Sequence, residues 1–440
     1  MSGCGIYTTY KPVETVPDNL YGNVEQIDTV SPLNTMEWKE LFTDPMLQSL
    51  IEKALAQNID LRTSDLRVTE AEAALRASKL AFLPSFALAP QGTVSSFDKA
   101  KAVQTYTLPL SASWEIDIFG RLRNARKQSS AALEQSKDYR QAVRAQVIST
   151  VANTYYTLLM LDEQLEISTA TEATWKETVD VMRKLMNAGQ GTEASVAQME
   201  ATYYSIKNSV LDLREQINQV ENAMSILLGE SVHHIERGKL WDQKFPDNIS
   251  VGLPVTLLSQ RPDVRSAERG IEQAFYVTNQ ARAAFYPSLN LSGNVGWTNS
   301  AGSMVINPGK FIANAIGSLT IPLFSKGRNK ANLEIAKAQQ EEAALAFEQT
   351  LLNAGKEVND AMTQYQTAKE KSELFKSQVD ASERAYKSTQ LLMRHGPTTY
   401  LEVLTAQQTF LSAQLQQTAN RFSEIQSVIN LYHALGGGAD

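Results

Sequence analysis

The chain has 440 residues, 43% hydrophobic and 20% charged, with a net charge of −7 and one cysteine. That size suggests two or three domains with a large core, and the composition excludes a disordered chain. The absence of a long basic run argues against nucleic acid as a partner, and a single cysteine excludes both an internal disulfide and a Cys-rich zinc site. No stretch of eighteen apolar residues occurs, so no transmembrane helix is expected. If the chain crosses a membrane, it must do so as strands of a closed barrel.

The N-terminal Met1-Ser2-Gly3-Cys4 looks like the end of a bacterial lipobox, in which small residues precede an acylated cysteine. Lipidation at Cys4 is therefore expected, on a chain trimmed to near its mature start; the alternative is an accidental cysteine. After a first helix, strands are expected at about 82–94 and 105–118. From Tyr106 to Ile118 every even position is apolar and every odd position polar or proline. This period of two over about ten residues suits a tilted spanning strand, and equally a half-buried soluble sheet.

A long helix is expected at about 121–188, because neither proline nor glycine occurs between Arg123 and Ala188. A second helix, about 192–228, carries Val196, Met199, Tyr203, Ile206, Val210, Leu213, Ile217, Val220, Met224 and Leu227 in an unbroken heptad rhythm. The same succession then recurs: a helix from 261, strands at about 287–298 and 311–323, a long helix at about 328–395, and a helix at about 398–435 before a short tail, 436–440. Phe347, Leu351, Ala354, Val358, Ala361, Tyr365 and Ala368 keep the heptad spacing in the second long helix. Either long run could form a rod of roughly 100 Å.

The recurrence extends to motifs. Leu83-Pro84-Ser85 answers Tyr286-Pro287-Ser288, Phe119-Gly120-Arg121 answers Lys326-Gly327-Arg328, and Ala188-Gly189 answers His395-Gly396. The offset is 203 residues at the first pair and 207 at the others. Two similar halves of about two hundred residues follow, 46–228 and 261–435. Four candidate strands per chain cannot close a barrel, and open edges in lipid cost several kcal/mol per unpaired backbone group. Two chains would give eight strands and a filled interior; three would give twelve and leave a lumen.

Two motifs carry a family resemblance. Trp114-Glu115-Ile116-Asp117-Ile118-Phe119-Gly120-Arg121-Leu122-Arg123 looks like the strand-to-helix junction of the TolC family. Gly252-Leu253-Pro254 followed by Gln260-Arg261-Pro262-Asp263-Val264-Arg265 resembles the signature of its lipidated OprM/NodT-type branch. The resemblance covers about residues 35–436. It implies a mixed fold, a homotrimeric twelve-stranded transmembrane β-barrel continuous with a long periplasmic α-helical barrel. Residues 1–45 and 229–260 would wrap its equator. It also implies a passive exit duct in the outer-membrane lipid, exporting drugs, dyes or detergents. The duct would work with a periplasmic adaptor (membrane fusion) protein and an inner-membrane resistance-nodulation-division (RND) transporter.

By the same resemblance, the helix-turn-helix tips at Gly189 and Gly396 dock the adaptor. Glu402 and Thr405, just past the second tip, occupy positions where the family often has two acids ringing a gate. Only Glu402 is acidic here, so a single negative ring is expected. Arg261, Asp263 and Arg265 read as a helix start with an ion-pair network. His233-His234 lacks an acid or cysteine at ligand spacing, and no Walker loop, dinucleotide fingerprint or nucleophile elbow is present. No enzyme, metal site or cofactor is expected. The competing readings are the same duct serving type I protein secretion, and a soluble periplasmic coiled-coil scaffold.

Overall fold

A computed structural model of the chain describes residues 9–12, 36–98, 101–245, 261–299, 309–395 and 400–438. Cys4, Gly396 and the Gly252-Leu253-Pro254 stretch lie outside the described residues. Two compact units are formed: one of residues 1–15, 66–138 and 265–350, the other of residues 16–65, 139–264 and 351–440.

The first unit holds one antiparallel sheet. Its strands are β1 (Ser85–Leu88), β2 (Gln91–Ser95), β3 (Val103–Ile116), β4 (Ser288–Thr298) and β5 (Lys310–Thr320). Both β1 and β2 pair with β3, which pairs with β4, which pairs with β5. The five segments therefore form four lanes. The first lane is interrupted at Ala89-Pro90, because proline has no N–H to give to the ladder. The expected run 311–323 stops at Thr320, just before Ile321-Pro322.

Register lines up the apolar positions across the lanes. Leu110 faces Leu88 and Val295, and Trp114 faces Leu291. Trp297 faces Phe311, with their rings 6.0 Å apart in a T-shaped contact. Leu289 faces Leu319. One sheet face is thus apolar in all four lanes, and it is uncovered: Phe86 is 68% exposed, Val94 69%, Trp297 44% and Phe311 63%. The opposite face carries Ser111, Ser113, Asn290, Ser292, Asn294 and Ser318, with Ile312 and Ile316 as apolar exceptions on the last lane.

The strand-to-helix switch after β3 is built locally. The strand ends at Ile116, and Asp117 next to it accepts hydrogen bonds from the Leu122 and Arg123 N–H groups at 3.1 and 2.8 Å, capping the first turn of α4. Gly120 turns the chain at φ +75°, where a side chain would be strained. Glu115 and Arg121 pair across the turn. The corresponding Gly327 also has positive φ, +81°, ahead of the second long helix.

The helices are α1 (Trp38–Leu41), α2 (Pro45–Gln57), α3 (Ile59–Leu80), α4 (Arg121–Asn187), α5 (Glu193–Leu227), α6 (Pro262–Ala283), α7 (Arg328–His395) and α8 (Tyr400–Ala434). Helix lengths recur along the chain: 22 residues each for α3 and α6, 67 and 68 for α4 and α7, and 35 each for α5 and α8. In the first unit α4 and α6 meet through amides: Gln273 and Gln280 donate to Gln135 and Gln128 at 2.6 and 2.8 Å. Thr278 reaches the Ala336 carbonyl of α7 at 3.1 Å.

The second unit buries the heptad seams. Val151, Leu158, Val210, Met224, Leu351, Ala354 and Val358 are all nearly inaccessible. Segment 229–245 folds back over α4. Arg237 pairs with Asp162 and Glu221, both at 2.5 Å, and Gly238 N–H donates to the Tyr155 hydroxyl at 3.0 Å. That hydroxyl in turn donates to Asp44 at 2.6 Å.

Arg261 closes the second unit. It is almost fully buried and binds Asp263, Glu357 (2.7 Å) and the Ala434 carbonyl (2.7 Å). Burial works to raise the Asp263 pKa, but its bonds to Arg261 prevail and hold the carboxyl below its usual value. Burial, reinforced by the Arg261 charge, lowers the pKa of His433. Both shifts act in one direction. A depressed folded-state pKa means stability is present above the unfolded value and is lost as pH falls. Stability should therefore decline first below about pH 6.5, where the unfolded chain takes up a proton that His433 resists in the fold beside Arg261, and again in the acid range, where the unfolded chain protonates the carboxyl that Arg261 keeps ionised at Asp263. Arg261→Met should cost about 2 kcal/mol, less than a fully buried pair because its partners are half-exposed. Thermal melting across pH checks both, and His433→Gln should flatten the upper step.

Candidate functional site

The first candidate is the turn from α4 into α5. Gly189 N–H donates to the Met186 carbonyl and Gln190 N–H to the Leu185 carbonyl, both at 2.9 Å, with Gly189 at φ +78°. This is a Schellman ending: the left-handed glycine lets the last carbonyls find donors. Thr192 then caps α5 in a reciprocal pair with Ser195. Arg183 of α4 and Glu200 of α5 bridge the two arms at 2.6 Å, with Arg183 well exposed.

A compact apolar cluster stiffens this tip. Trp175, Val179 and Met182 of α4 pack with Val196, Met199 and Ile206 of α5, and Leu404 of α8 joins them. The start of α8 is therefore held against the first tip by its own side chain. On that first turn Val403 and Leu404 point inward, while Glu402 and Thr405 are exposed. They stand three residues apart, on one helix face. The Thr405 hydroxyl donates to the Leu401 carbonyl at 2.9 Å, so it is turned back onto its own helix. Gly396 lies outside the described residues.

Of the residues singled out in the sequence, Gly189, Glu402 and Thr405 gather around the α4–α5 end and the start of α8. Arg261, Asp263 and Arg265 serve structure: Arg265 pairs with Asp138 at 3.0 Å, and Arg261 has the partners already described. His234 Nδ1 lies 2.7 Å from Glu221, and His233 N–H donates to the Ser225 hydroxyl. Among the described residues no group of three or more His, Cys, Asp or Glu side chains is placed to hold a metal ion. Sequence reasoning missed the Arg183–Glu200 bridge and the Arg237 network. Each joins residues far apart in the chain without a local spacing pattern to mark it.

The other candidate surface is the uncovered apolar sheet face, which no helix shields among the described residues. No helix of the described chain is long and apolar enough to cross a membrane. Long paired helices joined to such a sheet define a class, the outer-membrane channels. At 27% identity the chain superposes on the open-state MtrE outer-membrane channel of Neisseria gonorrhoeae with a TM-score of 0.87, covering 99% of each chain. Residues 50–230 and 253–437 match the family described as outer membrane efflux protein, and the chain belongs to that family. It is 29% identical to the cation efflux system protein CusC of Escherichia coli, over 100% of this chain and 97% of that protein. It is 27% identical to the toluene efflux pump outer membrane protein TtgC of Pseudomonas putida, over 91% of this chain and 85% of that protein. The chain is the outer-membrane exit duct of a tripartite efflux pump and not an enzyme, and its helical domain stands in the periplasm.

The positive φ at Gly189 makes it the sensitive point of the tip. Gly189→Ala should cost about 1 kcal/mol, since nothing crowds the added methyl and only the backbone conformation is penalised. Gly191→Ala should cost a different kind of strain, because its methyl would meet the Met186 backbone at 3.2 Å. Denaturant unfolding and proteolysis at 187–192 measure each.

Proposed function

We propose that three copies join edge to edge, closing a twelve-stranded transmembrane barrel continuous with a periplasmic helical tunnel made of two similar repeats per chain. The observation that carries this reading is the sheet. Its apolar face is open, and among the described residues the outer edges of β1, β2 and β5 have no strand partner. An apolar face suits lipid, and edges in lipid need partners. Three chains of four lanes satisfy every edge and leave a lumen lined by the Ser and Asn face.

In this reading residues 1–45 and 229–260 form the equatorial wrap, and an acyl chain on Cys4 adds a second hold on the membrane. The cargo is small molecules such as drugs, dyes or detergents. The toluene pump and cation efflux relatives favour a duct that takes chemically unlike small solutes over one for secreted proteins. Gly189 and Gly396 mark the tips that meet a periplasmic adaptor, itself joined to an inner-membrane RND transporter. Glu402, repeated three times about the axis, rings the periplasmic aperture, and Thr405 adds no charge to that ring.

The purified protein should run as a heat-labile trimer on gels and conduct ions in planar bilayers. A monodisperse monomer without detergent defeats the duct assembly. Glu402→Ala should raise single-channel conductance or relieve block by divalent cations, while Thr405→Ala should change neither. Conductance and block identical to wild type in Glu402→Ala remove that residue from the gate.

A further inference from the structure

A pocket of about 200 Å³ lies where the back-folded segment meets α7 and α8 in the second unit. Its lining includes Trp241, Ser372, Lys376, Gln417, Arg421 and Glu424. Trp241 sits in a single 3-10 turn, Leu240–Asp242, between two anchors: Leu240 is 1% exposed and Gln243 8%. Arg421 donates to the Gln243 carbonyl at 2.7 Å and to Glu424 at 2.9 Å, tying the turn to α8. The backbone is thus pinned from both sides, yet the indole remains 47% exposed. A solvent-open tryptophan on a pinned backbone is a flat apolar platform for a ligand with one apolar face and polar edges.

The remaining groups are of the kind that such edges need. Ser372 and Lys376 stand one turn apart on α7; Gln417, Arg421 and Glu424 follow on successive turns of α8. Together they offer a hydroxyl, an amide, a carboxylate and two cations around the platform. Arg421 and Glu424 neutralise each other in their 2.9 Å pair, so the net charge of the pocket is that of Lys376, which favours an anionic substituent held by a charge-assisted bond. A pyranose ring satisfies this set: its C–H face lies on indole, and its hydroxyls and amides bond at the rim.

The geometry points to a binding site for a carboxylate-bearing saccharide, built from Trp241, Lys376, Gln417 and Arg421. It rests on the reading above that the 229–245 segment lies on the outside of the tunnel, where the periplasm reaches it. Two sources share this ligand chemistry, free acidic oligosaccharides and those glycan strands of the cell wall whose muramic carboxylates carry no stem peptide.

Calorimetry of the detergent-solubilised full-length trimer with N-acetylglucosaminyl-N-acetylmuramic acid tests the site, with N,N′-diacetylchitobiose (chitobiose below) as the neutral match. Saturable binding is expected, at least about tenfold tighter for the acidic disaccharide, which corresponds to about 1.4 kcal/mol. Trp241→Ala should abolish binding of both sugars. Lys376→Glu should erase the preference for the acid and leave chitobiose bound. Cosedimentation with sacculi freed of stem peptides by an amidase, lost in Trp241→Ala, assigns the wall as the source; disaccharide binding without cosedimentation assigns free saccharide. No saturable binding, binding unchanged in Trp241→Ala, or a preference unaffected by Lys376→Glu each overturns the site. So does a protein partner lost in Trp241→Ala when no sugar binds. Bilayer conductance of the same variants should match wild type. Its absence from every sample, with sugar binding intact, would sink the duct assembly and not this site.

Discussion

An antiparallel sheet with one face apolar in every lane and nothing packed over it is the constraint on which the rest of the chain depends. In water such a face would drive association, because each buried square ångström of apolar surface is worth roughly 25 cal/mol. No helix among the described residues folds over Phe86, Val94, Trp297 or Phe311, although eight are present there. Among the described residues nothing covers that face, and the barrel proposed above would cover it with lipid. The polar face of Ser and Asn side chains looks the other way for the same reason of pleat.

From that sheet the chain must pass into helices within a few residues. Asp117 and Gly120 make this possible, the first by offering its carboxylate to the opening N–H groups of α4, the second by taking a left-handed turn. Once α4 starts, nothing in its sequence ends it until Gly189, and the same holds from Arg328 to His395. Such lengths are not stabilised by propensity alone. The apolar stripes of α4, α5, α7 and α8 are buried, while the segment from 229 to 245 is clamped by the pairs of buried Arg237 with Glu221 and with half-buried Asp162. These pairs contribute position more than energy, since removing charge from water offsets most of the attraction.

In the proposed duct, function is carried by surfaces and ends and not by a chemical centre. The tip at Gly189 is stiff because Trp175, Met199 and Leu404 pack beneath it, and the same packing presents Glu402 outward. A duct has no bond to break. Its residues act by where charge, apolar area and turns are placed along the route.

Much of this was legible in the residues. Alternation in Tyr106–Ile118 and the glycine positions fall close to the observed strand and helix ends, because strand pleat and helix termination are local properties. The break at Pro90 and the early stop of β5 were missed, since each depends on which neighbouring N–H the ladder needs. The family motif was likewise readable, and its Arg261 and Asp263 serve as the structural pair that their place at a helix start suggested. The sequence by itself determined period, length and breakpoints, which follow from backbone geometry and side-chain type. Only the tertiary structure decided that the apolar positions of four lanes share one open face, that Arg183 meets Glu200 and Arg237 meets Asp162, and that Trp241 stands exposed over a polar pocket. Those are contacts between residues distant in the chain. Their partners are chosen by packing, which no local pattern encodes.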